Sequence, residues 1–312
     1  MLCKKVNASS LQNDYDHFMP TQHKIVLGNS QFMPEIPDES IQLMITSPPY
    51  PMIKMWDSLF EQKDPQIAIL WKSLKENPQE KTVRDLYETM HLNLEKTWRE
   101  TYRVLVDGGI ACINIGDATR TINHKFRLFP NHSKVIEICL KIGFTLLPYI
   151  LWKKPTTKPT YKGKGAFLGS GFLPPNAYVT VDCEFILIFR KGNLRIFPKH
   201  DKLRYESSFT KKQRDNWFTQ IWTIKGSRQT HSQLERRTAA FPEEIAERLI
   251  RMFSVKGDTI LDPFIGSGTT TKTAMLTQRN SIGYEIDQSL LPLLEKRLSI
   301  EPRNYSLSIT RR

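Results

Sequence analysis

The stretch TILDPFIGSGTTTKTA, residues 259–274, decides the fold of this chain. An apolar run leads to Asp262, a loop containing Gly266 and Gly268 follows, and a threonine-rich segment comes next. This order predicts a buried β-strand, a tight turn and the start of an α-helix, because glycine permits positive φ and close backbone approach. The first N–H groups of a helix have no partner within it and can bind an anion. The stretch therefore predicts a ligand site at a strand-to-helix turn.

An acidic residue strengthens this interpretation. Glu285 stands 23 positions after Asp262, at the end of the next predicted strand, in IGYEID. In a doubly wound sheet an acid at this place accepts hydrogen bonds from ribose hydroxyls. The loop lacks the Gly-Lys-Ser/Thr of a P-loop and the third glycine of the dinucleotide fingerprint. A nucleoside ligand without a pyrophosphate is therefore favoured, and the alternative is an exposed acid at a strand end.

Strand and helix patterns alternate along most of the chain. The last 70 residues repeat the order helix, strand, helix, strand, helix, and an unbroken apolar run at 183–192 predicts a further strand buried in the main sheet. Such alternation predicts an α/β fold with a doubly wound, mostly parallel sheet. The remaining predicted strands lie within 23–46 and at 110–115 and 145–152, and helices are predicted at 83–105, closed by Asp107-Gly108-Gly109, and at 133–143.

A second unusual stretch is MITSPPYPMI, residues 44–53, where a predicted strand meets Ser47-Pro48-Pro49-Tyr50. Proline has no backbone N–H and holds φ near −65°, so this tetrapeptide offers hydrogen-bond acceptors in a rigid arrangement. Taken alone, it would be a strand-ending turn.

Positive charge is concentrated in one region. Residues 151–240 contain 18 Lys and Arg against 6 Asp and Glu, which is +12 of the net charge of +13. Such a field predicts a polyanionic partner, of which nucleic acid is the commonest, whereas the alternative is a solvated surface. Bulky aromatic residues interleave with the charges, namely Trp152, Tyr161, Phe167, Tyr178, Trp217 and Trp222.

Several classes of protein are disfavoured. No apolar run reaches the roughly 18 residues of a membrane span, and the N-terminus has no apolar secretion signal, so a cytoplasmic location is expected. The four cysteines, Cys3, Cys112, Cys139 and Cys183, form no CxxC pair and have no histidine at metal-ligand spacing. They are expected to be reduced thiols, and no metal is expected.

Together the two motifs resemble a known family. The segment Asp262-Pro263-Phe264-x-Gly266-Ser267-Gly268-Thr269-Thr270 and the segment Thr46-Ser47-Pro48-Pro49-Tyr50 are similar to those of the amino-directed DNA methyltransferases of restriction-modification systems. These enzymes use S-adenosylmethionine (AdoMet). The Pro-Pro motif precedes the glycine motif by about 215 positions, which resembles the permuted order called the β class. The resemblance implies the AdoMet-dependent methyltransferase fold, with a target-recognition region between the two motifs.

This resemblance also implies a division of the chain. Residues 1–22 would be an N-terminal extension and residues 23–154 the catalytic half, in which the polar stretch at about 57–84 predicts an insertion or lid of short helices. Residues 155–240 would form the target-recognition region, and residues 241–312 the AdoMet-binding half.

The implied catalytic residues are Ser47, Pro48, Pro49 and Tyr50. Ser47 Oγ and the Pro48 carbonyl would accept the two hydrogens of a target amino group, and Tyr50 would stack on a base flipped out of the duplex. Gly28-Asn29 resembles the turn that reaches the adenine of AdoMet, although Asp is more usual than Asn there. Asn114 and Asp117 resemble the strand end beside the active site, and Cys183 replaces a usual His before Glu184. The implied AdoMet-binding residues are Asn29, Phe241, Pro242, Asp262, Pro263, Phe264, Gly266, Ser267, Gly268, Thr269, Thr270 and Glu285.

Serine before Pro-Pro-Tyr is usual for N4-cytosine enzymes of this family, whereas Asp or Asn is more usual for N6-adenine enzymes. A hydroxyl could also donate a hydrogen bond to cytosine N3, where a carboxylate would repel it. The expected function is therefore N4 methylation of a flipped cytosine in duplex DNA, beside a cognate restriction endonuclease that acts on the same site without a stable complex. The chain would be a monomer or a homodimer. The alternatives are a DNA N6-adenine methyltransferase, an RNA amino-methyltransferase and a DNA-binding regulator without catalysis.

Overall fold

The computed structural model of this chain describes residues 20–155, 179, 181–226, 240–299 and 304–312. Short 3-10 turns at Lys54–Trp56 and Gln288–Leu290 accompany the regular elements. The strands are β1 (Thr21–Leu27), β2 (Ile41–Thr46), β3 (Leu105–Ile115), β4 (Ala118–Ile122), β5 (Lys125–Phe129), β6 (Thr145–Lys153), β7 (Cys183–Arg190), β8 (Ile221–Thr223), β9 (Thr259–Asp262), β10 (Asn280–Glu285) and β11 (Tyr305–Arg311). The helices are α1 (Asp57–Lys63), α2 (Pro65–Glu76), α3 (Glu80–Val104), α4 (Asn131–Ile142), α5 (Lys202–Glu206), α6 (Lys211–Trp217), α7 (Glu243–Phe253), α8 (Thr269–Leu276) and α9 (Leu291–Leu298).

One large sheet dominates the described part of the chain. Nine strands follow the order β11-β1-β10-β9-β2-β3-β7-β6-β8, and β7 alone runs antiparallel to its neighbours. The other neighbouring pairs in this sheet are parallel. Strands β4 and β5 form a separate antiparallel hairpin. The prediction of a doubly wound, mostly parallel sheet is confirmed, and so is the placement of the 183–192 run within it.

Helices cover both faces of this sheet, because its central strands are apolar on both sides. In β2, Met44 belongs to one core cluster with Trp98 of α3 and Val135 of α4. Leu43 and Ile45 point to the opposite face and belong to a second cluster with the buried side of α7. Successive side chains of a strand point to opposite faces, so a strand that is apolar throughout must be covered on both.

The order of the strands reverses between β2 and β9. These two strands are direct neighbours, with Leu43 opposite Ile260 and Met44 opposite Leu261. From β9 the chain continues outward to β10, and from β2 it continues to β3 on the other side. Ligands of open α/β sheets bind beyond the carboxyl ends of the strands at such a reversal. The two sequence motifs follow these two strands.

Several features differ from the expectations. The β4–β5 hairpin, the edge strand β11 and the short elements α5, α6 and β8 were not predicted. The segment Asp107-Gly108-Gly109, predicted to close a helix, lies inside β3, which begins at Leu105. Gly108 has φ +77°, and its N–H donates to the Lys191 carbonyl at 2.8 Å. The glycines thus bend a strand that continues beside β7.

Part of the basic region lies far from the reversal point. Arg195 makes two hydrogen bonds of 2.6 and 2.7 Å to Asp258, directly before β9. Asn193 N donates to the side chain of Asp107, near the start of β3. Residues 193–207 therefore cross the amino ends of the strands, at the edge opposite to the two motifs. Lys153 and Cys183, which flank the segment 156–178 in the sequence, instead pair at the carboxyl end of β6.

Other expectations concern cysteines, membranes and metals. Cys112 and Cys139 are buried and reduced, and burial raises the pKa of both thiols. Cys3, together with most of the predicted extension 1–22, lies outside the described residues. Among the described helices none is long and apolar enough to cross a bilayer. The described residues include no cluster of metal-ligating side chains.

Candidate active site

The turn after β9 has the backbone that its glycines predicted. Gly266 and Gly268 adopt φ of +52° and +83°, and Gly268 is the N-cap of α8. A third glycine, Gly283 of β10, lies below this turn, and a Cβ there would come within 2.4 Å of Ile265 Cδ1. We call residues 263–268 the glycine loop. It can take this form only because a glycine of the neighbouring strand leaves room for Ile265.

Asp262 joins the two motifs. Its carboxylate accepts hydrogen bonds from Thr46 Oγ1 at 2.7 Å and from Thr270 Oγ1 at 2.6 Å, and from the Phe264 N–H at 3.1 Å. Burial raises the pKa of Asp262 to about 6. Thr46 immediately precedes residues 47–50, which we call the proline loop. The carboxylate therefore fixes the proline loop and the glycine loop relative to each other.

A cavity of about 580 Å³ opens beside both loops. This volume falls within the range of small-molecule and cofactor sites. Its walls come from the ends of β1, β2, β9 and β10 and from the segment that follows the proline loop. The lining residues are Gly28, Ser30, Ser47, Pro49, Met55, Trp56, Ser58, Leu59, Gln62, Lys63, Pro263, Phe264, Gly266, Tyr284, Glu285, Ile286, Asp287, Gln288 and Leu290.

Glu285 is the acidic group of this cavity nearest to the glycine loop. Its carboxylate accepts hydrogen bonds from Gly266 N at 3.0 Å and from Asp287 N at 2.8 Å. Burial raises its pKa to about 7, although the two N–H groups oppose this rise. Lys63 also lines the cavity, and burial lowers the pKa of its ammonium group while the charge of Glu285 raises it. The cavity thus offers a carboxylate that can accept hydroxyl hydrogens.

Residues 54–76, which we call the lid segment, form one wall of the cavity with their first part, up to Lys63. The side chains of Met55, Trp56, Leu59 and Lys63 face the glycine loop across the cavity. Arg120 in β4 holds this segment, because its guanidinium donates to both oxygens of Asp57 at 2.8 and 3.0 Å and lies 4.7 Å from the Trp71 ring centroid. The prediction of short helices in a lid corresponds to α1 and α2.

Three polar side chains from other parts of the chain, Asn114, Lys154 and Glu184, form a cluster with Ser47 and Tyr50 of the proline loop. Ser47 Oγ lies 3.0 Å from Tyr50 Oη, and Tyr50 Oη donates to Glu184 Oε2 at 2.9 Å. Asn114 Nδ2 donates to Tyr50 Oη at 2.8 Å and to Glu184 Oε2 at 2.7 Å. Lys154 forms an ion pair with the other oxygen of Glu184. Burial raises the pKa of Tyr50 well above its ordinary value, and the charge of Glu184 raises it further.

The backbone after the proline loop is held by Asn131. Its Nδ2 donates to the carbonyls of Pro51 and Gly116, both at 3.0 Å, and its Oδ1 lies 3.1 Å from His91 Nε2. Because Asn131 Nδ2 must be the donor to two carbonyls, Oδ1 accepts and His91 carries its proton on Nε2. Burial lowers the pKa of His91 to about 3, so the ring is neutral.

The structure brings together some of the predicted site residues. Ser47, Pro49, Pro263, Phe264, Gly266 and Glu285 line the cavity. Pro48 is buried, and Tyr50 belongs to the polar cluster described above. Gly268 and the buried Thr269 and Thr270 begin α8.

Four other predicted cofactor residues use their side chains elsewhere. Asn29 accepts from Gln31 N at 3.1 Å, and the neighbouring Gly28 and Ser30 line the cavity instead. Ser267 Oγ accepts from Arg297 at 2.8 Å. Phe241 and Pro242 lie before α7, where Phe241 is part of the core under β2.

The sequence interpretation assigned no role to Glu184, Lys154, Asn131 or His91. The position of Glu184 could have been found, because CEFILIFRK resembles a family strand that usually starts with His-Glu. Asn131 and His91 carried no comparable signal, since each acts through a partner at least 40 positions away.

The family model described as DNA methylase matches residues 41–296 of this chain. The type II methyltransferase M.MjaI of Methanocaldococcus jannaschii is 59% identical, over 92% of this chain and 94% of that protein. The type II methyltransferase M.MthZI of Methanothermobacter thermautotrophicus is 46% identical, over 90% of this chain and 78% of its own.

A solved structure is also similar. The Thermus thermophilus protein TTHA0409, solved in complex with S-adenosyl-L-methionine, superposes with a TM-score of 0.68 at 30% identity, covering 92% of this chain and 99% of that one.

Proposed function

This chain belongs to the DNA methylase family, and from that premise we propose that it transfers a methyl group from AdoMet to the N4 amino group of a flipped cytosine in duplex DNA. Methyl transfer to an exocyclic amino group of DNA is the activity of the family, and AdoMet is its methyl donor. The choice of cytosine is our proposal. The single observation that carries the whole is the bond between Thr46 and Asp262, because it brings the acceptor-rich proline loop beside the cofactor cavity.

The residues of the cavity fit AdoMet. Glu285 presents a carboxylate at the end of β10, the place where an acid accepts hydrogen bonds from ribose hydroxyls. Phe264 and Trp56 supply aromatic surface to the cavity, and Gly266 lets the backbone approach a ligand closely. When bound, AdoMet supplies an electrophilic methyl group on a sulfonium whose leaving group is neutral. We propose that Ser30 and the backbone of Gly28, rather than the Asn29 side chain, face the adenine end.

The proline loop would prepare the nucleophile. The lone pair of an exocyclic amino nitrogen is delocalised into the ring, so the nitrogen reacts poorly. Ser47 Oγ and the Pro48 carbonyl can accept its two N–H groups and favour a pyramidal nitrogen with an available lone pair. The fixed φ of the two prolines orients both acceptors before the base arrives. The Pro49 ring and the Tyr50 ring would contact the base.

The target base must leave the duplex to reach this loop. Unstacking and unpairing cost a few kcal/mol, which contacts to the flipped base and the DNA backbone offset. We propose that positive charge at the carboxyl edge of the sheet, including Lys153, contacts the phosphates. Residues 193–207 lie at the opposite edge, so we assign target recognition to the remaining parts of 155–240.

The support for cytosine is the serine before Pro-Pro-Tyr. Donation from Ser47 to cytosine N3 does not support this choice, because Tyr50 Oη donates to Glu184 and Ser47 is therefore the donor in its contact with Tyr50 Oη. We retain cytosine on the family resemblance, with adenine N6 as the outcome that would replace it. We further propose that the chain modifies the site of a cognate restriction endonuclease, and that it acts as a monomer or homodimer.

Product analysis tests this proposal. The protein is incubated with labelled AdoMet and mixed-sequence duplex DNA, which is then digested to nucleosides and separated by chromatography. Label in N4-methylcytosine is expected. Label in N6-methyladenine would replace the base, and label in tRNA or rRNA but not in DNA would reassign the substrate. DNA binding without AdoMet binding by calorimetry would indicate a regulator.

Ser47→Ala tests the acceptor role. The variant should lose at least about two orders of magnitude in turnover, since an oriented polar group in an active site is worth roughly 3 kcal/mol. Its affinities for DNA and AdoMet should change little. Ser208→Ala, in an exposed loop on another part of the chain, is the matched control. Unchanged turnover in Ser47→Ala would reject the acceptor role.

A further inference from the structure

Glu184 lies at the start of β7 and contacts no part of the cavity, yet it ends the chain of polar groups that begins at Ser47. One of its oxygens, Oε2, accepts hydrogen bonds from Tyr50 Oη at 2.9 Å and from Asn114 Nδ2 at 2.7 Å. The other oxygen pairs with Lys154. A carboxylate can only accept hydrogen bonds, so this end of the chain has a fixed polarity.

That polarity determines the direction of both hydroxyl hydrogens in the cluster. The single hydrogen of the Tyr50 hydroxyl points to Glu184, so Tyr50 Oη can only accept from its other neighbours. Asn114 Nδ2 donates within the same cluster, since it lies 2.7 Å from Glu184 Oε2, 2.8 Å from Tyr50 Oη and 3.5 Å from Ser47 Oγ. The contact between Ser47 Oγ and Tyr50 Oη at 3.0 Å must then be a bond in which Ser47 donates.

We propose that Glu184 is a positioning residue that acts through Tyr50 to hold the Ser47 hydroxyl hydrogen away from the target base. Ser47 Oγ then presents lone pairs to the amino group and no hydrogen. A free serine hydroxyl could rotate and present either, and a hydroxyl hydrogen facing an N–H group would oppose binding of the amino group. This inference rests on the proposed function, because it concerns how the proline loop selects an amino group.

Lys154 makes the polarity testable by a conservative change. In Glu184→Gln the side chain keeps its size but gains one donor group. The Lys154 ammonium can only donate, so it favours the amide oxygen on its own side and leaves the amide nitrogen toward Tyr50. Tyr50 then loses its acceptor, and its hydrogen becomes free to point at Ser47 Oγ. Ser47 is no longer held as an acceptor.

A double-mutant cycle measures this coupling. Glu184→Gln should lower kcat at least about tenfold and leave the KM for AdoMet and the melting temperature nearly unchanged. Tyr50→Phe removes the connection, so adding Glu184→Gln to Tyr50→Phe should lower kcat by less than about twofold. A purely structural role of Glu184 would instead give the same fold-loss in both backgrounds, which would overturn the proposal.

Binding provides a second readout that does not depend on turnover. Duplexes carry at the target position either the amino base or its oxo counterpart, which is uracil for cytosine or hypoxanthine for adenine. Dissociation constants of wild type and Glu184→Gln are compared for both duplexes. In Glu184→Gln, the affinity for the oxo-base duplex relative to the amino-base duplex should rise by about fivefold or more. This relative affinity should not change when Tyr50→Phe is also present.

The outcomes separate the two proposals. If the wild-type protein methylates no amino group of DNA, the proposed function fails. If the wild type is active and Glu184→Gln has wild-type kcat and an unchanged binding ratio, only the role of Glu184 fails. Glu184→Asp keeps an acceptor-only group and should retain more activity than Glu184→Gln, whereas equal losses in both variants would contradict the proposal.

Discussion

The Thr46 hydroxyl donates a 2.7 Å hydrogen bond to the Asp262 carboxylate, across 216 positions of the chain. The bond joins the end of β2 to the end of β9 in the middle of the sheet. Every distance between the proline loop and the glycine loop depends on this contact, together with the pairing of the two strands.

Thr46→Val should destabilise the protein in a pH-dependent way. The folded-state pKa of Asp262 is about 6, above its ordinary value of 3.8. Between these two pH values the folded state binds more protons than the unfolded state, so the free energy of unfolding falls as pH rises. Removing the Thr46 donor raises this pKa further. The loss should therefore be about 1–3 kcal/mol at about pH 8 and smaller near pH 5, measured by urea unfolding. Thr223→Val, at an exposed position of β8, is the control. An equal loss of stability at both pH values would contradict the assignment.

AdoMet affinity should rise with pH because of Glu285. Its pKa is about 7, and only the ionised carboxylate accepts hydrogens from both ribose hydroxyls. Between about pH 6 and pH 8 the ionised fraction rises roughly tenfold, and affinity should follow it. Isothermal titration calorimetry at several pH values measures this dependence. Glu285→Gln should bind AdoMet weakly, and its affinity should depend less on pH. A profile as steep as that of wild type in this variant would exclude Glu285 as its origin.

Gly283→Ala should disturb the glycine loop from below. The new Cβ would meet Ile265 Cδ1 at 2.4 Å and Cγ1 at 3.0 Å, so Ile265 must move and carry the loop with it. We expect a loss of about 1–3 kcal/mol in stability and weaker AdoMet binding. Gly226→Ala is a suitable control, because no atom lies within 4 Å of the place that its new Cβ would take. Equal stability and equal AdoMet affinity of the two variants would show that Ile265 moves without destabilising the protein or the glycine loop.

Asn131→Ala should weaken catalysis from outside the cavity. The change leaves the buried carbonyls of Pro51 and Gly116 and the His91 N–H without this partner. A stability loss of about 1–3 kcal/mol is expected, with a fall in kcat greater than the fall in AdoMet affinity. Asn216→Ala, on the exposed side of α6, should change neither. If Asn131→Ala kept full kcat, Asn131 would support the fold alone.

Charge changes in the two parts of the basic region should differ. Replacing Lys158, Lys162 and Lys164 by Gln should weaken DNA binding and reduce its salt dependence, because each lost phosphate contact lowers the slope. The described residues Lys153 and Cys183, which flank this segment in the sequence, pair at the carboxyl edge of the sheet. Replacing Lys199 and Lys202, near the opposite edge, should have little effect. Fluorescence anisotropy at several salt concentrations measures the DNA affinity of the two sets of lysine variants. Equal losses of affinity would indicate that DNA contacts both edges of the sheet.

The sequence was sufficient to predict the sheet and the meeting of the two motifs. Each motif is a local pattern that ends a strand, and the carboxyl ends of parallel strands lie along one edge. The strands β9 and β10, the glycine loop and Glu285 could be predicted for this reason. The edge strand β11 could not, because its burial alternates weakly and its pairing with β1 joins segments from opposite ends of the sequence.

Side-chain direction was the harder part. Asp262 and Ser267 both belong to the glycine motif. Asp262 accepts hydrogen bonds from Thr46 and Thr270, whereas Ser267 accepts one from Arg297. A motif predicts the path of the backbone but not which polar side chains point into the cavity. Glu184 and Asn131 act through partners 134 and 80 positions away, and no local pattern encodes such distances.

The lid segment begins only a few residues after the proline loop, so one short stretch of chain lines the cofactor cavity and carries the loop that we propose to contact the target base. A displacement of the lid segment that let the spent cofactor leave would be transmitted to Tyr50 and its neighbours through this short connection. In kinetic terms, exchange of the cofactor and release of the methylated base are then not independent steps. A rate scheme for this enzyme should couple them, and the number of sites modified during one encounter with DNA follows from that coupling.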